Sequence, residues 1–434
     1  MNTQAKSSTF SKFEKWIDEN VSPMAGRFGS ERHVVAIREA FLSVIAFIVI
    51  GAFFMLLTSV PGVSTLTKPI ASQLTVAQNL TFGLVAVYLS FSLAYNLAIQ
   101  YNYDGLTGGL LGLMAFFFAV CPQITDSLPL TYLGEAGIFV GMIASIYAVE
   151  VYRLCMQHGI YIKAPEAVPP AVVRFFEMLV PEIVVILPIW LLSSVFSFAI
   201  APWIVGVFSH LALLVDTLAG ALVMDGVLNN WTWFLGIHPW SILGPLYLPF
   251  LTQNSLANAA AAAAGQPMHF VQTLSWYAGS TTGGTGSTIS LAIFCLISKS
   301  KRLRALGAVS IIPVLCHVNE PLLFGLPIIL NPIWLIPFCI LQPLVMIVPA
   351  FLAVKAGFVA YASVPFFGFV PGPINWFLGT LDWRAIPWAF LTGWILPGLV
   401  YYPFWRVFER GVLREESKQA AEAEAENPVL QSAT

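Results

Sequence analysis

An apolar run late in the chain reads Cys316-His317-Val318-Asn319-Glu320-Pro321-Leu322-Leu323-Phe324-Gly325, and it sets an amide and a carboxylate side by side before a proline. A carboxylate at membrane depth costs at least ~2.5 kcal/mol, so such a residue faces a cavity and binds something. Pro321 lacks a backbone donor and biases Glu320 toward extended backbone. Asn319 and Glu320 are therefore expected at a helix break, their side chains free for a ligand. A carboxylate beside an amide that both donates and accepts suits the vicinal hydroxyls of a sugar. The plainer alternative is a structural carboxylate paired with a nearby Arg or His.

Two further stretches interrupt apolar sequence. Trp231-Thr232-Trp233-Phe234-Leu235-Gly236-Ile237-His238-Pro239-Trp240 puts a histidine before a proline among indoles. The C–H face of a sugar packs well on an indole, and Trp231 and Trp233 fit a membrane-interface belt equally well. Gly279-Ser280-Thr281-Thr282-Gly283-Gly284-Thr285-Gly286-Ser287-Thr288 lets backbone approach a ligand closely. It lacks the Gly-Lys-Ser/Thr ending of a Walker motif, and a small-residue packing seam would look similar. The candidate catalytic residues are Glu320 and His238. The candidate sugar contacts are Asn319, Glu320, His238, Gly283, Gly284, Thr285 and Gly286, with Asn254 and Trp240 from the same broken region. Glu39, Asp104 and Glu135 stand at the ends of apolar spans and read as interfacial or capping. Cys316 reads as a buried structural thiol. No two of the five cysteines have CxxC spacing, so neither a disulfide framework nor a metal site is expected, and no cofactor.

What must position these residues is a membrane. Apolar residues make up 58% of the chain and charged residues 10%, against about 25% charged in a soluble domain. That excludes a water-soluble globule. Of the 20 Lys and Arg, all but Lys68, Lys355 and Arg384 fall between Lys6 and Arg38, Arg153 and Arg174, Lys299 and Arg304, or Arg406 and Lys418, the pattern of cytoplasmic loops. Spans approaching the roughly 20 residues that cross a bilayer are expected over 40–60, 79–99, 105–120, 133–151, 179–200, 335–354 and 388–401, with a weaker one over 364–381. Residues 203–228 read as an oblique span or an interfacial linker helix. Residues 10–17 read as a short interfacial helix, 165–170 as a stiff Pro-rich connector, 258–265 as a solvent-side loop or short helix, and the tail after Arg414 as disordered. The first thirty residues have no signal-peptide core. Irregular backbone at membrane depth lines a cavity, and paired interrupted segments point to a transporter's binding site.

Asn319 to Pro332, reading NEPLLFGLPIILNP, resembles the NEPLLFGLPIxLNP signature of the enzyme IIC permeases in the lactose/cellobiose/diacetylchitobiose family of the bacterial phosphotransferase system. Gly236-Ile237-His238 resembles that family's GIH element, and Gly283 to Ile289 its glycine-rich element. His33 to Phe41 resembles its N-terminal lead-in and Pro165 to Pro170 its mid-chain loop, so the likeness covers most of residues 30–410. His238-Pro239-Trp240 departs from the His-Gly of diacetylchitobiose members.

The resemblance implies an all-α polytopic membrane protein with about ten transmembrane helices and two re-entrant hairpins. A five-helix scaffold and dimerisation half would occupy 37–200, a linker helix region 201–228, and a transport half with the sugar site 229–410. A cytoplasmic segment, 1–36, and a polar tail, 411–434, would flank them. The resemblance further implies a homodimer in the bacterial cytoplasmic membrane, surrounded by lipid, with both termini cytoplasmic. A disaccharide of the cellobiose, diacetylchitobiose or lactose type would bind near Glu320 and His238. A separate IIB protein carrying phosphocysteine, charged in turn by IIA, would phosphorylate it. No IIA or IIB domain and no nucleic-acid contact are expected in these residues. Two other readings compete. An ion-coupled secondary sugar transporter would use Glu320 as a proton carrier. A membrane-embedded glycan-processing enzyme would need a metal–carboxylate cluster, and neither Asp-x-Asp nor His-Glu-x-x-His occurs.

Overall fold

The computed structural model describes residues 19, 27, 30–59, 63–121, 132–163, 170–368 and 370–426, and every regular element among them is helical. The expected helix over 10–17 and all of the 165–170 connector but Pro170 lie outside the described residues. Helices are what apolar sequence of this length must form in lipid, where backbone has to bond to itself. Six are long and apolar enough to cross a membrane, or seven if one bent pair counts as a span. The chain is a multi-pass membrane protein.

The first group comprises α1 (Arg32–Ser59), α2 (Val85–Gln100), α3 (Gly105–Val120), α4 (Ile138–Gln157), α5 (Pro170–Trp190) and α6 (Ile200–Val215). Asp104 caps α3, as expected: its Oδ2 accepts the Thr107 backbone N–H at 2.8 Å and the Thr107 hydroxyl at 2.6 Å. Glycines bring α3 against α2. A Cβ on Gly112 would lie 2.3 Å from the Ala94 Cβ, and one on Gly108 2.4 Å from that of Ala98. Such close approach is how apolar helices gain packing energy in lipid.

The second group begins with α7 (Leu218–Phe234), bent by 78° from α6. Residues 203–228 are thus two helices meeting at Asp216, whose Oδ1 accepts the N–H groups of Val271 and Gln272 at 2.8 and 2.6 Å. Next comes α8 (Trp240–Ala263). It absorbs the alanine run, which extends a long helix because alanine is the best helix former. Then follow α9 (Leu274–Ser280), α10 (Ile289–Leu296), α11 (Lys301–Leu315), α12 (Glu320–Gly325), α13 (Pro332–Lys355), α14 (Gly372–Thr380) and α15 (residues 385–426).

Three features of this group build the site. First, α9 packs on α14 while α10 packs on α11 and α15, so the glycine–threonine stretch joins two half-helices with different neighbours. Second, α11 and α12 double back, a Cβ on Gly325 meeting the Leu306 side chain at 2.3 Å. Third, residues 364–381 are not a span. They form an irregular strap followed by α14, and the strap returns on itself where the Ser363 and Val364 N–H groups bond to the Gly379 carbonyl, each at 2.9 Å. Nor is the described part of the tail after Arg414 irregular: α15 remains helical to Glu426, and residues 427–434 lie outside the described residues. Its alanine- and glutamate-rich sequence favours helix, and Glu409 and Glu416 fasten it to the turn before α11. One core, including Phe41, Leu93, Tyr247 and Ile347, runs through both groups. Another, around Trp334, Phe338, Tyr401 and Trp405, lies within the second.

Candidate functional site

The reversal between α11 and α12 presses its polar residues onto the glycine turn. Asn319 is 3% exposed. Its Nδ2 donates to the Thr285 carbonyl at 2.8 Å and to the Thr288 hydroxyl oxygen at 3.0 Å, so its amide nitrogen is committed to the turn while the residue still lines the cavity. Glu320 is not extended. It starts α12 with Pro321 in the first turn, where the missing N–H has no helical partner to lose.

The Glu320 carboxylate faces His238, Oε1 lying 3.5 Å from Nε2. Its Oε2 is buried with no hydrogen-bond partner among the described residues. His238 sits in the break between α7 and α8, two residues after Gly236, whose φ of +78° turns the chain. The Leu330 N–H donates to the Phe234 carbonyl at 2.9 Å, tying this break to the far end of the reversal. Trp233 is buried edge-on to His238, with ring centroids 4.9 Å apart, and to Phe324 at 6.1 Å. It orients the imidazole instead of offering an open stacking face.

These groups enclose a cavity of about 260 Å³. His238 and Trp233 form one wall, Tyr277, Thr281, Gly284 and Thr285 a second, and His317, Asn319 and Glu320 a third. Phe367 and Gly368 of the strap close one side, and Leu42 and Ile45 of α1 another. The cavity therefore lies between the two helix groups. Gly284 has φ +79°, and a Cβ there would come 2.7 Å from the Asn319 side chain. Gly283 and Gly286 shape the turn without lining the cavity; a Cβ on Gly286 would strike the Phe338 ring at 2.2 Å. Asn254 is buried away from the cavity lining, donating to the Gln272 carbonyl at 3.0 Å. Trp240 opens α8.

The fold places at or behind the cavity several residues that the sequence does not single out, among them His317, Tyr277 and Asn229. His317, at φ +66°, lines it and donates through Nε2 to the Val370 carbonyl at 3.0 Å. Its signal was available, since it is an isolated polar residue in the same apolar run. Tyr277 lines the cavity, and Asn229 behind it links two residues of the same wall. The Asn229 Oδ1 accepts the Thr285 hydroxyl at 2.9 Å, and its Nδ2 donates to the Tyr277 oxygen at 3.2 Å. Neither has a local signal, because each lies in helix-compatible sequence. Asn375 completes the strap, donating to the Gly368 and Val370 carbonyls at 2.7 and 2.9 Å. No group of three or more metal-ligating side chains occurs among the described residues.

An acceptor carboxylate, an imidazole, hydroxyls and glycine backbone converging on a partly open cavity suit a neutral polyhydroxylated ligand. Comparison with known proteins agrees. The family model for Phosphotransferase system, EIIC matches residues 38–341. The lichenan permease IIC component of Bacillus subtilis is 29% identical over 94% of this chain and 96% of its own length. The cellobiose-specific EIIC component of Geobacillus stearothermophilus is 29% identical over 93% of this chain and 96% of its own. Among solved structures, the transporter ChbC, the IIC component from the N,N'-diacetylchitobiose-specific phosphotransferase system, matches with a TM-score of 0.86. It is 29% identical, over 93% of this chain and 99% of that one.

Proposed function

The chain belongs to the phosphotransferase system EIIC family, and from that membership we propose that it carries a β-linked disaccharide held between Glu320 and His238 and presents it to a phosphorylated IIB protein. As a IIC component it is a sugar permease with the fold of ChbC. The disaccharide follows from relatives named for lichenan, cellobiose and N,N'-diacetylchitobiose. The observation that carries the site assignment is the facing pair: a carboxylate with one oxygen 3.5 Å from an imidazole and the other buried with no hydrogen-bond partner among the described residues.

In the transfer step the S–P bond of phosphocysteine breaks and an O–P bond forms at a sugar hydroxyl. The hydroxyl proton passes to Glu320 or His238. The transition state is loose, so positioning matters more than base strength. Asn319, Asn229 and Gly284 supply that positioning by fixing the turn opposite. The basic groups at 299–304 and 406–418 share one end of the molecule, joined through Glu409 and Glu416. The positive-inside rule puts this end, and both termini, in the cytoplasm. The working unit is a homodimer, by resemblance to the family.

The test is uptake of labelled cellobiose, lactose and diacetylchitobiose into vesicles, with and without phosphoenolpyruvate and the relay proteins. Sugar phosphate should accumulate only with the relay and be lost in Glu320→Gln. Free sugar accumulating without the relay, and collapsing with an uncoupler, would instead establish ion-coupled transport.

A further inference from the structure

The last helix and the start of α11 carry exposed cations on one surface, and the way they are joined is specific. Glu409 Oε1 accepts the Ser298 hydroxyl at 2.7 Å and the Lys299 N–H at 3.3 Å. Two turns on, Glu416 Oε1 accepts the Ser300 hydroxyl at 2.6 Å and the Arg302 N–H at 3.4 Å. Val412 is buried between them. Both carboxylates face inward onto a helix start, where negative charge is favoured. They are thereby turned away from the neighbouring cations. Lys299, Lys301, Arg302, Arg304, Arg406 and Arg410 are all exposed, and none has a carboxylate partner among the described residues. Glu415 is the one exposed acid on this part of α15. Two cationic segments a hundred residues apart in sequence are held on one surface by the Glu409 and Glu416 bonds, their charges without carboxylate partners among the described residues.

What lies beside this charge distinguishes the partner. Leu399, Tyr402, Arg406 and Arg410 follow at helical spacing along one exposed stripe of α15. Leu399 is 67% exposed, Val407 60%, and Ile297, just before Lys299, 74%. The stripe thus passes directly from apolar side chains bare enough to face acyl chains into arginines at the next turn. A soluble acidic protein would need the cations alone. An anionic phospholipid needs this sequence of apolar surface and then cations.

We propose that the surface formed by the start of α11 and the middle of α15 binds anionic phospholipid headgroups. The Glu409 and Glu416 clasp is what makes it a single site. The inference is independent of which sugar is carried.

The full-length protein in neutral detergent is titrated with fluorescent phosphatidylglycerol and, separately, phosphatidylcholine. Phosphatidylglycerol should bind more tightly and raise the Tm. Affinity should fall about five-fold for each cation removed, the equivalent of ~1 kcal/mol, hence about 25-fold in the Arg406→Gln/Arg410→Gln pair. Lys301→Gln/Arg302→Gln should behave alike, giving the same reading if the first pair folds poorly. Lys163→Gln, an exposed lysine elsewhere, should bind as wild type. Equal binding of the two lipids, or unchanged affinity in both pairs, overturns the proposal. So does displacement of phosphatidylglycerol by soluble polyglutamate at lower concentration than by unlabelled lipid, which would make the surface a dock for an acidic protein.

Discussion

The side-chain amide of Asn319 donates to the main-chain oxygen of Thr285 at 2.8 Å, joining the residue before Glu320 to the middle of the glycine turn 34 positions earlier. The same nitrogen reaches the Thr288 hydroxyl. Asn319 therefore fixes the turn that lines the cavity beside it. Asn319→Ala would leave two buried acceptors without a donor, each costing about 1–3 kcal/mol. The expected result is a Tm lowered by several degrees together with a raised KM for sugar. Glu320→Gln should show the opposite pattern, with Tm close to wild type and phosphorylation reduced on the order of 10²-fold or more, the usual worth of a positioned acid–base group. Thermal unfolding in detergent beside vesicle uptake separates the two. An Asn319→Ala protein with unchanged Tm would refute the positioning role.

Gly284 tests the same joint from the other side. Its φ of +79° strains any L side chain, and its Cβ would meet Asn319 at 2.7 Å. Gly284→Ala should cost about 1–2 kcal/mol in backbone strain and displace Asn319 as well, reducing sugar affinity. Gly159 has φ +71° with open space around it. Gly159→Ala should therefore carry the strain without the loss of affinity. Equal sugar binding by the two variants would show that the turn does not contribute to the site.

The sequence exposes Glu320 and His238 because ionisable or aromatic polar residues beside prolines are conspicuous in apolar runs. It also exposes the need for glycine at 283–286. It does not show that the Asn319 amide nitrogen is held by the turn, which only the fold brings against it. It cannot reveal Leu42 and Ile45, which are ordinary apolar residues of α1 brought to the cavity only by the packing of two helix groups. Residues 364–381 mislead for a related reason. They are apolar enough for a span, yet side chains distant in sequence satisfy their backbone: Ser275 bonds the Val364 and Phe366 carbonyls at 2.9 and 2.8 Å, and Asn375 bonds Gly368 and Val370. Hydropathy has no access to such long-range partners. The tail after Arg414 misleads in the opposite sense: its polar composition reads as disorder, yet the same alanines and glutamates are helix formers and α15 continues to Glu426.

Outside the spans, the Asp382 carboxylate sets a pH dependence. Burial alone would raise its pKa, but hydrogen bonds from the Arg384 guanidinium and from the N–H groups of Ala360 and Arg384 outweigh burial and hold it below the usual 3.8. A lowered folded-state value means that the stabilisation is fully present above 3.8 and is lost as pH falls through the lowered value. Stability should thus be insensitive to this group between about pH 5 and 8. Asp382→Asn should lower Tm at pH 7, and the difference from wild type should shrink as pH approaches ~3. A difference that stayed constant from pH 7 to pH 3 would rule the carboxylate charge out as its cause.

Asn229 makes a prediction that depends on connectivity alone. It lies behind the cavity, touching ligand-facing groups only through its bonds to the Thr285 hydroxyl and the Tyr277 oxygen. If it works by fixing Thr285, then Asn229→Ala and Thr285→Val remove the same interaction, and the double variant should be no worse than the more damaging single one. Residues in one hydrogen-bond network typically show coupling of about 0.5–3 kcal/mol in such cycles. The cycle is read in KM for sugar, with Tm as a control for general damage. Additive losses would mean that Asn229 acts through Tyr277 instead. Tyr277→Phe, which keeps the ring in the wall and removes the oxygen that accepts from Asn229, should then couple to Asn229→Ala where Thr285→Val does not. If neither partner couples, Asn229 is a structural residue of α7, and the wall it backs is held in place by the packing of α7 against α8 and α13.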